Sequence, residues 1–373
     1  MYKTIILFLY VCLLVSCAGG GKSGADTGGL PMDMKYAELL VMREADDFVQ
    51  VEIRNPWDST SLLHRYILVP SGKELPKQLP EGEIVRTPLR NAAVYTSVHC
   101  GLIDELGAAD TIKGVCDLQY IYLPKIRQGV QNGTIADLGN SMTPNIEKLM
   151  MMRPDAMFIS PFENSGSYGK LGKLHIPIIE CADYMETNPL GRAEWIRFYG
   201  LLLGKRHEAD SIFAAVEKSY NGMKAHAARQ KTRPTVVTEM KIGGTWYVAG
   251  NKSTVGILIS DAGGDYIFSD VASAGAVPYS PEQAFIKAQK ADFWLIKYNQ
   301  ATDMTMEELA EAWASNKYME AYKRGNVFGC NLAKTGFYEE TPFHPDVLLR
   351  EYINILHPGT QERHTMKYYN RIK

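Results

Sequence analysis

The side chains of this 373-residue chain that could do chemistry are scattered rather than massed. A serine hydrolase presents its nucleophile on a tight elbow, and no Gly-x-Ser-x-Gly occurs. A zinc protease sets two histidines one helical turn apart with a general base beside them, and no His-Glu-x-x-His occurs. No Cys-x-x-Cys is present either, and Cys100, Cys116, Cys181 and Cys330 follow no zinc spacing. Those four thiols allow three disulfide pairings that spacing cannot rank, and buried, reduced thiols are the simplest expectation. Gly21-Lys22-Ser23 lacks the opening glycine and the preceding strand of a phosphate loop. Gly243-Gly244 runs into Thr245-Trp246 with no helix opening behind it, which is not a dinucleotide fingerprint. Among eight histidines, His99 stands out. It follows a short apolar strand at the start of a helix, where open α/β sheets bind ligands, although a capping or solvated histidine fits the same place. The chemistry legible here is that of holding a ligand rather than transforming one.

Aromatic side chains offer such a grip. Tyr120 and Tyr122 follow an apolar strand, Trp246 and Tyr247 follow two glycines, and Phe337-Tyr338 follows Gly336. Aromatics in glycine-flanked loops can stack on a large ligand, or can merely cover the edges of a lobe. The elements that must position them alternate in type. Residues 92–96 read as a strand, a helix then stops at Gly107, and 111–116 reads as the next strand. A helix over 145–152 leads into the apolar run 156–159, and 176–179 follows as another strand. Such alternation predicts a parallel, doubly wound α/β sheet.

A helical stretch over 190–231 divides the chain, its first part ending at Gly204. In its second part Ala209, Ile212, Phe213, Val216, Tyr220 and Met223 share one face. At 1.5 Å per residue that part spans roughly 36 Å, enough to brace two lobes. The strand–helix pattern then restarts, with strands at 235–240, 266–268 and 293–296. Thr143-Pro144 and Ser280-Pro281 each precede, by the same spacing, an aspartate that opens a strand, Asp155 and Asp292. A Ser/Thr cap with proline in the first helical turn is thereby expected once in each half.

The N-terminus speaks to location. Lys3 is followed by an apolar run over 5–15, too short for a permanent span and of signal-peptide length. Leu14-Val15-Ser16-Cys17 resembles a bacterial lipobox, which makes residues 1–16 a leader and Cys17 the acylated first residue. The glycine-rich run behind it suits a flexible tether over 17–35. With 40 Lys and Arg against 42 Asp and Glu there is no basic excess to recruit nucleic acid. Residues 36–90 form a β-rich extension, with alternating strands at 48–53 and 65–70 around turn chemistry at Asn55-Pro56-Trp57-Asp58. Roughly 340 residues after the leader exceed what one core usually holds, so two lobes are expected.

The order of features resembles the periplasmic binding proteins of ABC importers for ferric siderophores, haem and cobalamin. The resemblance rests on the strand at 92–96, Leu106-Gly107, Asp110 and Gly114-Val115, and on Asn145-Ile146-Glu147-Lys148-Leu149 followed by Arg153-Pro154-Asp155. Leu201 to Gly204 with Glu208-Ala209 match the start of the family's spine helix, and the whole likeness covers about residues 90–357. It implies two Rossmann-like lobes with mainly parallel sheets, at 91–189 and 232–357, joined by a long rigid spine over 190–231, with a tail at 358–373. It implies a ligand in the cleft between lobes, at Thr96, Ser97, His99, Tyr120, Tyr122, Trp246, Tyr247, Phe337, Tyr338 and Glu340. It implies docking to an ABC permease, with its ATPase, through Glu147 and Glu282, although Glu282 lies ten residues before Asp292 whereas Glu147 lies eight before Asp155. The expected role is a monomeric, lipid-anchored carrier of an iron chelate, or alternatively of cobalamin, at the periplasmic face of a bacterial membrane, with no resident cofactor. The extension has no counterpart in the family's core and could reshape the cleft. A two-lobed chelatase-like enzyme would instead need His99 and the acids Glu339-Glu340 to converge on one metal, and a surface interaction protein would use the extension, with exposed aromatic patches and an empty cleft.

Overall fold

The computed structural model describes residues 29–163, 168–360 and 365–373. The leader, Cys17 and most of the expected tether lie outside the described residues. The first sheet comprises β1 (Leu30–Pro31), β2 (Leu40–Glu44), β3 (Val49–Arg54), β4 (Leu62–Pro70) and β5 (Glu83–Thr87), neighbours in chain order. Met42, Val51 and Tyr66 lie side by side across three strands on one buried face, and in β4 the burial is continuous from Tyr66 to Val69. Tyr66 stacks on Phe198 of the central helices at 6.0 Å, so the sheet's apolar face is closed by the spine.

Two buried carboxylates fasten this extension to the rest of the chain. Glu194, fully buried, accepts from the backbone N–H groups of Lys35, Tyr36 and Ala37 at 2.8–2.9 Å. Glu186 accepts from Glu38 and Leu39 N–H and from the Trp195 indole. Tyr66 donates its hydroxyl hydrogen to the Ile178 carbonyl at 2.6 Å and accepts from Glu180 N–H, tying the extension to the edge of the next sheet.

That next sheet is wholly parallel, in the order β10-β9-β6-β7-β8. Its strands are β6 (Ala92–Val94), β7 (Ile112–Val115), β8 (Ala136–Asp137), β9 (Ala156–Ile159) and β10 (Ile178–Glu180). They alternate with α1 (Ser97–Glu105), α2 (Pro124–Gln131) and α3 (Ile146–Met152). Both faces are covered at the centre, which is why β6 and β9 are continuously apolar: Ala92 and Val94 join the main core, while Ala93 and Tyr95 join a second one with Leu149 and Met157.

The spine is three helices rather than one: α4 (Pro189–Glu194), α5 (Ile196–Leu203) and α6 (Arg206–Ala227). Gly204, at φ 66°, closes α5 in the left-handed conformation that glycine adopts without a Cβ penalty. The 22 residues of α6 rise about 33 Å.

Beyond it the α/β pattern restarts with β11 (Thr235–Thr238), a small antiparallel sheet of β12 (Lys241–Ile242), β13 (Thr245–Ala249) and β15 (Ala276–Tyr279), and α7 (Thr254–Asp261). β14 (Asp265–Tyr266), α8 (Pro281–Ala288), β16 (Phe293–Tyr298), α9 (Met306–Ala312), α10 (Glu320–Lys323), β17 (Val327–Asn331), α11 (Phe337–Glu340), α12 (Pro345–Leu356) and β18 (Tyr369–Arg371) complete the chain. The main sheet of this half runs β14-β11-β16-β17-β18, parallel except for the edge strand β18. β18 means that the expected tail closes the sheet. The fold is α/β, with mainly parallel sheets in two similarly wound halves. No helix among the described residues is long and apolar enough to cross a membrane.

The repeat exists, with one correction. Ser280 caps α8 by accepting from Gln283 N–H, as expected, but α3 is capped by Asn145, which accepts from Lys148 N–H, and not by Thr143. Asp155 accepts from Arg90 and Asn91 N–H, and Asp292 from Thr235 N–H, each pinning the chain entering a neighbouring strand.

Candidate ligand-binding site

In a doubly wound sheet the chain leaves the central strands in opposite directions, and the crevice opens beyond their carboxyl ends. In the first half that point lies between β6 and β9. A cavity of about 290 Å³ sits there, lined by Tyr95, Thr96, Ser141, Met142, Ser160 and Phe162 among others. In the second half it lies between β11 and β16, where Glu239 (φ 61°) and Lys297 form an ion pair. Burial weakens the Lys297 charge, but Glu239 outweighs it and holds the ammonium above its ordinary range.

Between these two edges lies a cleft of about 360 Å³ shared by both halves. Ser97 and Val98 come from the start of α1, and Tyr120 and Tyr122 from the loop after β7. Asn299 follows β16, Leu332 and Thr335 follow β17, and Tyr338 and Glu339 stand on α11. Tyr120 and Tyr338 are about half exposed, with open faces for a ligand.

The walls meet at Glu339. Its Oε1 accepts from the N–H groups of Tyr122 at 2.6 Å and Leu123 at 3.3 Å. Those N–H groups belong to the two residues that lead into α2, whose N-cap residue, Leu123, has no side chain able to cap. A carboxylate from one half thus holds the chain entering a helix of the other. Burial raises the Glu339 carboxyl above the usual carboxylate range, against the pull of these two N–H groups. Nearby, His344 Nε2 lies 2.5 Å from Glu105 Oε1, a second bond between the halves. Burial opposes its charge, but Asp346 and Glu105 prevail and hold the imidazole at about 10.

Of the residues expected to bind, Ser97, Tyr120, Tyr122 and Tyr338 line the shared cleft, and Thr96 lines the adjoining cavity. Five others sit elsewhere. His99 is 1 % exposed, with Nε2 2.9 Å from Asp183 Oδ1 and Nδ1 2.6 Å from Thr96 Oγ1. Arg192 and the Tyr199 hydroxyl complete that buried network, and although burial alone would raise it, they and His99 lower the Asp183 carboxyl. His99 therefore bolts α1 to the far side of the sheet and does not face the cleft. Trp246 is fully buried, stacked on Trp294 at 5.9 Å with its indole donating to the Thr238 carbonyl. Tyr247, its strand neighbour, points the opposite way and is exposed, but lines neither cavity. Phe337 is packed against Tyr368 at 5.2 Å, and Glu340 is engaged by Lys367 and the Tyr368 hydroxyl. Glu339, not Glu340, is the acid of the cleft. Asn299, Leu332 and Thr335 went unread, although each follows a parallel strand at the end where ligands bind. None of residues 30–90 lines either cavity. The four cysteines are buried and unpaired.

On the outer surface, Glu147 and Glu282 are both exposed and both stand two residues after the cap of their helix, Asn145 and Ser280. Their unequal spacing to Asp155 and Asp292 arises beyond that position, because α8 and the link after it are each one residue longer. Four residues on from each glutamate, one helical turn away, an apolar side chain is also exposed: Met151, 84 %, and Ile286, 67 %.

Residues 93–332 match the periplasmic binding protein family. An uncharacterized lipoprotein of Methanocaldococcus jannaschii is 27% identical over 300 residues, covering 77% of this chain and 70% of that one. Among solved structures, a periplasmic haem-binding protein from Pseudomonas aeruginosa superposes with a TM-score of 0.58 at 12% identity, over 76% of this chain and 98% of its own. An ABC-type Fe3+-hydroxamate transport system protein from Saccharomonospora viridis gives 0.56 at 15% identity, over 72% and 94%. At such identities the likeness is one of fold.

Proposed function

This chain belongs to the periplasmic binding protein family, and we propose that it captures an iron chelate between its two halves and delivers it to an ABC permease driven by its ATPase. The observation that carries this reading is the meeting of Tyr120 and Tyr122 from one half with Tyr338 from the other around a single cleft. Aromatic faces grip a broad, rigid ligand at low entropic cost. A cleft built from both halves also lets the ligand report its presence by how firmly they are joined. The matched Glu147 and Glu282, each with an apolar neighbour one turn away, support docking to a permease through both halves at once. We assign Cys17 as the lipid anchor on the lipobox, with support from a relative named as a lipoprotein, and propose a monomeric carrier held at the periplasmic face of a membrane. A chelatase role is opposed by the burial of His99, the one histidine such a site required.

Cobalamin in the same role is the second reading, favoured by the apolar, aromatic lining of the cleft. Titration with a ferric siderophore, haem and cobalamin, followed by visible absorption and intrinsic fluorescence, tests the proposal. Micromolar or tighter binding to at least one is expected, and binding to none refutes the transport reading.

A further inference from the structure

Resting on that transport reading, we propose that the cleft selects chelates that are neutral or cationic and turns away those carrying several negative charges. Among the described residues, no Lys, Arg or His lines either the shared cleft or the cavity adjoining it. The lining's one carboxyl group, Glu339, belongs to an acid.

The cations nearby are already committed. Lys297 is paired with Glu239 at the edge of the second sheet. Arg127 donates from Nη1 to the carbonyls of Ile121 at 2.7 Å and Leu118 at 3.3 Å. Lys334 lines a neighbouring cavity and is paired with Asp303 at 3.0 Å. Asp117, which follows β7 and accepts from Ser141 N–H at 3.3 Å, lines neither cavity, so Glu339 is the one ionisable acid or base, tyrosines aside, among the lining residues.

A chelate with two or three ionised groups would have to shed much of its hydration there with no cation to replace it, a cost that grows with each charge. A neutral or singly positive chelate sheds less. It gains instead the hydroxyls of Ser97, Thr335 and the tyrosines, and a cation also gains the negative faces of Tyr120 and Tyr338. The geometry therefore assigns hydroxamate-type ferric chelates and corrinoids to this site ahead of haem, with its two propionates, and ahead of tricatecholates.

The test compares dissociation constants of the intact mature protein for ferrichrome (neutral), ferrioxamine B (cation), cyanocobalamin (neutral), haem and ferric enterobactin (trianion), read by quenching of intrinsic fluorescence. At least one of the first three should bind at least about tenfold tighter than either of the last two. Haem or ferric enterobactin binding as tightly as the best of the others would overturn the inference while leaving the transport role standing. Binding to none of the five would overturn the transport role itself. Charge is separated from shape by Thr335→Lys, which places one cation on the cleft wall. It should raise affinity for haem and ferric enterobactin by about tenfold relative to ferrichrome, and an unmoved ratio in the folded variant would overturn the charge argument.

Discussion

Gly101 of α1 lies directly on the backbone of Glu339 in α11, so close that a Cβ at residue 101 would overlap the Glu339 carbonyl oxygen. This is where the two halves touch at the back of the cleft, and only a glycine lets the helices approach that far.

Substituting Gly101→Ala should therefore wedge the halves apart. An overpacked contact of this kind costs about 1–3 kcal/mol. Urea unfolding should register that loss, and small-angle scattering should show a more extended molecule. Unchanged stability and dimensions would mean that the two helices separate freely.

Glu339→Ala should destabilise the α2 end by about 1.5–3 kcal/mol, since two N–H groups lose a charged acceptor. Hydrogen exchange would localise the effect to residues 122–126, with Glu339→Gln, which keeps an acceptor oxygen, affected less. Equal exchange in all three proteins would mean that Glu339 does not hold the chain entering α2.

The His344–Glu105 bond predicts a pH dependence. His344 is held at about 10 in the folded chain, above its ordinary value of 6.5, so its stabilising contribution is complete below pH 6.5 and is lost as pH rises through about 10. The wild-type urea midpoint, relative to that of His344→Gln, should be highest at pH 6 and should converge on it near pH 10. A difference that stays constant with pH would contradict this.

Trp246 and Tyr338 should part company. Trp246→Ala opens a cavity in the core and should cost about 3–5 kcal/mol while leaving ligand affinity intact in the folded fraction. Tyr338→Ala removes a half-exposed cleft side chain and should weaken ligand binding several-fold with little change in melting temperature. The reverse pattern would move the site to the β13 edge.

Charge reversal at the outer glutamates, Glu147→Lys with Glu282→Lys, should abolish chelate uptake in cells without changing affinity in solution. Each single variant should show a partial loss. Full uptake by the double variant would dismiss both positions as docking points.

How far the sequence could be read follows from how local each feature is. The apolar runs 92–94, 156–159 and 293–296 mark buried parallel strands because they are apolar on both faces and too short for a buried helix. Tyr120 and Tyr122 were singled out by their place after a strand and Tyr338 by its place after Gly336, and all three line the shared cleft. Trp246 was misread because its glycine neighbours suggested a loop, whereas Thr245 to Ala249 alternate in burial as a strand does, Trp246 and Val248 in, Tyr247 out. His99 was opaque for another reason: its partner Asp183 stands 84 residues away, and no local spacing encodes such a pairing. The same holds for Glu339, whose partner Tyr122 N–H is 217 residues distant.

The fastening of residues 35–37 to Glu194 has a mechanical consequence. A pull applied at the N-terminus meets the pairing of β1 with β2 first and then three N–H groups clasped by one buried carboxylate at the end of α4. The load is taken up there, in the central helices, before it reaches the shared cleft or the contact between Gly101 and Glu339. A carrier leashed at that end could be tugged about without its grip on cargo being loosened.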